Sequence, residues 1–223
     1  MDAIEVLPKL RMLRFPVGAA YLWRDGDELT LIDTGTAECA AEIEKALDGE
    51  LRRIVLTHWN EDHAGSAAEL AARHGAEVLA HRLEAPVIQG EAGGAPPVLE
   101  EFELPIRAAL PPLPTAPPCL VDRRVEDGDV LDFGGGAVVV AVPGHTDGSI
   151  ALHLPGPGVL FTGDAVANVG RTMLGVFNTD RARAVESLRR LAALEVDTAV
   201  FGHADPLADG ASAALQEAAA ATT

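Results

Sequence analysis

Thr57-His58-Trp59-Asn60-Glu61-Asp62-His63-Ala64-Gly65 sets His58, Asp62 and His63, together with Asn60, inside six residues. The run Leu51-Arg52-Arg53-Ile54-Val55-Leu56 precedes it and reads as a buried strand. Ser66 to Ala72 follows and reads as a helix, which spans 65–74 and ends on a C-cap at Gly75. The cluster therefore sits on a strand-to-helix turn, where α/β proteins place their chemistry. Residues two apart share a side when the backbone is extended. His58, Asn60 and Asp62 are thus expected to converge, with His63 turning in as the helix begins. Imidazole and carboxylate together suit zinc or iron.

Outward from this turn, the chain alternates apolar runs with turn residues. Residues 11–17 read as a first strand. Ala19–Trp23 and Leu29–Ile32 flank Arg24-Asp25-Gly26-Asp27, a hairpin signal, and the second of them ends in Asp33-Thr34-Gly35. Helical spacing of Ala40, Ile43 and Leu47 predicts a helix over 37–47. Ala76–Ala80 reads as a short strand. Residues 85–120 hold nine prolines, which deny the backbone donors that helices and sheets need. This segment reads as the least regular part of the chain, either a plain surface excursion or a lid or pocket rim. Strands are expected at 129–133, 137–142, 150–154, 159–162 and 196–201. Helices are expected over 181–194, capped by Asp180, and over 210–221.

A lone histidine in a turn is usually structural, but here the same ending recurs. Asp33, His58, His63, His145, Asp164 and His203 all lie just past a strand-like run, most of them beside glycine. His74, His81 and His153 do not follow this rule and read as structural or solvated.

Length and composition fit one domain, 1–223, with the 85–120 insertion. The net charge of −17 argues against sequence-independent binding of nucleic acid or anionic membranes. The two cysteines, Cys39 and Cys119, form no metal-spaced pattern and no disulfide framework. Met1–Glu5 lacks the basic start and apolar stretch of a signal peptide, and no apolar run is long enough to span a membrane. These features predict a cytoplasmic protein with a small-molecule substrate.

In order along the chain, five segments resemble motifs of the metallo-β-lactamase-fold hydrolase superfamily. They are Leu31-Ile32-Asp33-Thr34-Gly35, the Thr57–Gly65 stretch, Pro143-Gly144-His145-Thr146-Asp147-Gly148-Ser149, Phe161-Thr162-Gly163-Asp164 and Phe201-Gly202-His203. The resemblance implies a four-layer αβ/βα sandwich, two mixed sheets with helices outside, and a metal site at one sheet edge. It implies that His58 and His145 hold one metal, with position 60 as third ligand. Asp62, His63 and His203 would hold the other, and Asp164 would bridge the two. Asp33 would orient the site from behind the ligands. Zinc is the expected ion, one or two per chain, with iron or manganese as alternatives.

Position 60 departs from the family, which usually has His there. Asn offers a neutral amide oxygen, a poorer donor than imidazole. The second site is therefore expected to fill tightly and the first weakly. The implied activity is hydrolysis of an ester, thioester, lactone or related substrate by hydroxide generated at the metal, with Asp62 steering the proton. Two readings compete: an iron persulfide-dioxygenase-like enzyme, and a non-catalytic metal-binding protein with a degraded first site. Val98, Leu99, Phe102, Leu104, Ile106 and Leu110 would wall the pocket, or equally cover the core or a homodimer partner.

Overall fold

The structure is a computed structural model and describes residues 1–222. The first half runs β1 (Asp2–Leu7), β2 (Leu10–Arg14), β3 (Ala19–Asp25), β4 (Glu28–Ile32), α1 (Ala40–Glu44), β5 (Glu50–Leu56), α2 (Glu61–Ala64), α3 (Ala67–His74) and β6 (Glu77–His81). The proline-rich segment then gives α4 (Ala85–Ile88) and α5 (Glu103–Ala109). The second half runs β7 (Arg123–Val125), β8 (Val130–Leu131), β9 (Ala137–Ala141), β10 (Ile150–Leu154), β11 (Val159–Phe161), a 3-10 turn at Gly163–Ala165, β12 (Val166–Asn168), β13 (Thr172–Leu174), α6 (Arg181–Ala192), β14 (Thr198–Val200) and α7 (Ala211–Ala221).

Strands β1 to β7 form one mixed sheet in sequence order. A second mixed sheet has the order β14-β11-β10-β9-β8, and β12 and β13 pair alone. Side chains alternate across each strand, and the apolar ones do so on both faces. In β3, Leu22 packs outward with Ile43 of α1 and Leu70 of α3, while Tyr21 and Trp23 pack inward. Ile54 and Val55 of β5 divide the same way. In β11, Val159 and Phe161 meet the first sheet, and Leu160 packs outward with Leu188 of α6 and Leu215 of α7. The result is three apolar clusters between four layers: helices, sheet, sheet, helices. This is the four-layer αβ/βα sandwich expected from the sequence.

Local signals also match. Gly75 ends α3 at φ +65°, the left-handed C-cap. The Asp180 side chain accepts from the Arg183 N–H and caps α6. Other elements differ from expectation. β1 is an edge strand ahead of the expected start. α1 is shorter than 37–47, because the chain beyond Glu44 tightens: Ala46 N–H bonds Ile43 O and Leu47 N–H bonds Glu44 O, each spanning three residues. The expected strand at 129–133 is reduced to Val130–Leu131.

Topology gathers the motifs. β4 and β5 are parallel, as are β11 and β14, and β9 points the same way as β11 because each is antiparallel to β10. The C-terminal ends of these strands therefore share one edge of the sandwich. Among the described residues no helix is long and apolar enough to cross a membrane.

Candidate metal centre

Asp33 follows β4 with φ +59°, in the left-handed region that Asp tolerates better than most residues. That backbone turn aims its carboxylate across the end of β5. Oδ1 accepts the Thr57 N–H at 2.8 Å, and Oδ2 accepts the Thr57 hydroxyl at 2.8 Å. His63 Nδ1 lies 2.8 Å from the same Oδ2 and, facing a carboxylate, must donate. Having given its proton to Asp33, the Thr57 hydroxyl accepts from His58 Nδ1 at 2.9 Å. Asp33 thereby fixes both rings with Nε2 turned toward the centre. Both Nε2 atoms are buried and make no hydrogen bond, and neither does Asp164 Oδ1.

The motif backbone is less extended than expected. Asn60 is extended (φ −57°, ψ 148°), but α2 starts at Glu61, so Asp62 and His63 project from a helical turn. Around them the donor atoms gather. His63 Nε2 is 3.3 Å from Asp164 Oδ1 and 3.8 Å from Asp62 Oδ2. His203 Nε2 is 3.2 Å from Asp164 Oδ2 and 3.3 Å from Asp62 Oδ2. Four ligands at about 2.0–2.1 Å from a tetrahedral zinc stand about 3.3 Å apart. The Asp62 contacts to His63 and His203 thus come close to the separations of a zinc coordination shell. Two three-donor groups converge: His58, His63 and Asp164, and Asp62, His63 and His203. His145 and Asn60 belong to neither, and lie 3.1 Å apart, Asn60 Nδ2 to His145 Nε2.

The electrostatics ask for a cation. Asp33, Asp62 and Asp164 are largely buried together, and their ion-pair partners among the described residues are histidines. Burial lowers the pKa of His63, but Asp164, Asp62 and Asp33 outweigh it and hold it well above the usual imidazole value. Asp164 beside His203 raises that ring to about 10. His58 lies well below the usual value, because burial and its histidine neighbours disfavour charge. Burial raises Asp164, yet His203 and His63 more than offset this and leave its carboxyl well below the usual range. Unsatisfied buried donors and acceptors are costly, and a divalent ion among these atoms satisfies them. The residues present therefore fit a metal.

Glycine closes the approach of the last motif. A side chain at Gly202 would collide with Asp164 Oδ1 and the His63 ring. Tyr21 secures the same strand end: its hydroxyl donates to Phe201 O at 2.6 Å and accepts from Phe201 N at 3.2 Å.

The sequence profile of the metallo-beta-lactamase superfamily matches residues 13–203, from β2 to the last histidine of the site. The chain belongs to the metallo-beta-lactamase superfamily. As a member of that superfamily it is 34% identical to a hydroxyacylglutathione hydrolase of Rhodobacter capsulatus over 195 residues, 86% of this chain and 64% of that one. It is 30% identical over 203 residues to a hydroxyacylglutathione hydrolase of Methylobacillus flagellatus, 89% of this chain and 66% of that one. The chain thus spans just under two thirds of the length of these two relatives. A solved metallo-beta-lactamase of Cronobacter sakazakii, a HARLDQ-motif mutant, superposes with a TM-score of 0.71 over 91% of this chain and 80% of its own, at 24% identity. A metallo-beta-lactamase family protein of Thermus thermophilus gives 0.66 over 96% and 79%, at 25% identity.

One residue at this edge has no sequence signal. Glu84, just ahead of α4, is 1% exposed. Its Oε2 accepts the Trp59 N–H at 2.9 Å; its Oε1 accepts the Gly148 N–H at 2.8 Å and the Thr146 hydroxyl at 3.0 Å. It joins the turn after β5 to the turn after β9. Burial raises its pKa, although those three bonds oppose the shift. A side chain at Gly148 would strike Glu84 and His81, so only glycine lets the two turns meet. His81 lies behind that contact, His153 on β10 and His74 at the end of α3, and none of them joins the donor groups.

Proposed function

We propose that the chain is a metal-dependent hydrolase of a small acyl thioester. The convergence of Asp62, Asp164 and His203, which line a cavity of about 580 Å³, with the buried His63 behind them carries this reading. The names borne by the relatives point to the thioester. Asp62, His63, His203 and Asp164 would hold the ion, with His58 Nε2 beside them and Asp33 orienting two rings from behind. Nitrogen and carboxylate donors at these separations favour zinc. When bound, a divalent ion supplies Lewis acidity toward a carbonyl and brings the pKa of water to about 7.

The protein's own part is positioning and proton transfer. Asp62 lines the cavity and reaches the cluster through Oδ2. Its carboxylate takes the proton of the attacking water and delivers it to the sulfur as the C–S bond breaks. Phe15, Trp59, Ile106, Leu110, Val176 and Phe177 line the space above. Ile106 and Leu110 lie in and just after α5, so segment 85–120 serves as a wall of the substrate pocket. Cys39 and Cys119 are unpaired, which suits a reducing compartment such as the cytoplasm.

Turnover of an S-(2-hydroxyacyl)glutathione, measured beside an ester, a lactone and a phosphoester, tests the proposal. Thioester cleavage that disappears in Asp62→Ala is the expected result. Metal-loaded protein that leaves the thioester intact overturns it. The dioxygenase-like and non-catalytic readings are not favoured by the relatives; iron content with oxygen uptake would mark the former.

A further inference from the structure

His145 is placed among the donors yet is hydrogen-bonded out of their set. Its Nδ1 lies 3.0 Å from the Val176 carbonyl oxygen, which can only accept. The proton is therefore on Nδ1, and Nε2 carries the lone pair. Asn60 Nδ2 stands 3.1 Å from that lone pair and donates to it. The reverse orientation of the amide would set two lone pairs against each other. One chain of hydrogen bonds thus runs from Asn60 through the imidazole to the loop bearing Val176 and Phe177. His145 is 3% exposed, and Asn60, His145 and Val176 all line the cavity.

We infer that Asn60 makes this a one-ion centre, with His145 a positioning residue for the cavity wall and not a ligand. The inference rests on the metal-hydrolase reading above. The group of Asp62, His63 and His203 serves one ion with three protein donors. A second ion beside it would find His58 Nε2 and a shared Asp164, two protein donors where zinc sites use three or more. The third candidate, His145 Nε2, is already occupied by an amide N–H. Asn60 therefore excludes the second ion by filling a lone pair, and it also fixes the ring that anchors the pocket wall through Val176.

Zinc content per folded chain, measured by mass spectrometry after dialysis against metal-free buffer, tests this. Wild type is expected to keep one ion. Asn60→His, which exchanges the amide donor for an imidazole lone pair, is expected to keep two. His145→Ala is expected to keep its one ion while KM for the thioester rises more than kcat falls. His203→Ala should bind zinc at least tenfold more weakly. Two tightly held ions in wild type, or zinc loss in His145→Ala as large as in His203→Ala, overturns the inference. The wild-type count decides even if a variant fails to fold. Thioester turnover by a two-ion wild type would sink this inference alone and leave the hydrolase standing. Wild type that binds no zinc and turns nothing over would sink both.

Discussion

Replacing Asp33 by Asn tests how the site is held together. Asn tolerates the left-handed backbone at this position, so the substitution leaves φ +59° unstrained and changes only hydrogen bonding. The carboxylate now accepts three bonds at 2.8 Å: Thr57 N and Thr57 Oγ1 and His63 Nδ1. An amide has one oxygen to offer. If that oxygen keeps the Thr57 N–H, the new NH2 faces His63 Nδ1. His63 must then move its proton to Nε2, the nitrogen turned toward Asp164 and the ion. If the amide flips, NH2 opposes the Thr57 N–H and leaves a buried donor unsatisfied, at about 1–3 kcal/mol. Residues behind metal ligands typically govern affinity by 10–100-fold, or about 1.4–2.8 kcal/mol. Asp33→Asn is therefore expected to weaken zinc binding by that factor, measured by competition with a chromophoric chelator at neutral pH. The midpoint of unfolding without metal should fall modestly. A folded variant whose zinc affinity stays within twofold of wild type would refute the tautomer argument.

Glu84→Gln should destabilise the protein by about 1–3 kcal/mol in urea unfolding, because the amide NH2 must oppose the N–H of either Trp59 or Gly148. The effect should depend on pH. Burial holds the folded Glu84 pKa above the ordinary 4.5, so its contribution is full below 4.5 and is lost as pH rises through the raised value. The stability gap between wild type and Gln should therefore narrow from pH 4.5 upward, and a gap that widens would contradict the desolvation argument. Chelation of the metal should lower Tm: zinc at 100 times its Kd stabilises by about 2.7 kcal/mol, which for a domain of this size is about 5–11 °C, and calorimetry with and without chelator reads it directly. Asp62→Ala and His63→Ala should abolish hydrolysis, while His81→Ala should leave zinc content unchanged; full activity in either of the first two would remove those residues from the site. Ile106→Asp, on the half-exposed α5, should raise KM for the thioester at least tenfold and leave zinc content intact, and an unchanged KM would take α5 out of the substrate pocket.

The site edge was legible because its signals are local. Each donor follows a strand of alternating or continuous apolar residues, and Asp, His and Gly after such a run mark a strand end whatever the tertiary context. The caps at Gly75 and Asp180 were equally local. Other features depend on partners far away in sequence. Glu84 takes its meaning from backbone N–H groups of Trp59 and Gly148, and Asn60 from His145, 85 residues away. Only the folded topology sets those pairs side by side. β1 escaped notice because it is a half-exposed edge strand, with Asp2 and Glu5 interrupting its alternation. The prolines of 85–120 misled in a different way. Pro86 and Pro105 lie in the first turns of α4 and α5, where the missing N–H has no intrahelical partner to lose. Read as breakers, they were in fact helix starts.

The molecule divides its tasks between the core strands and α5. The donor atoms follow the ends of β5, β11 and β14, whose side chains fill the apolar layers on both faces. Shifting any one donor means moving a close-packed strand. The opposite wall is built differently. Ile106 and Leu110 are 42% and 40% exposed, and α5 reaches the rest of the fold through few buried atoms, chief among them Glu103, whose Oε1 accepts the Phe177 N–H at 2.8 Å. Changes on the cavity side of α5 therefore carry little stability cost, whereas changes at the donors carry much. A fold arranged this way holds its metal chemistry constant while the shape of the substrate pocket is free to vary.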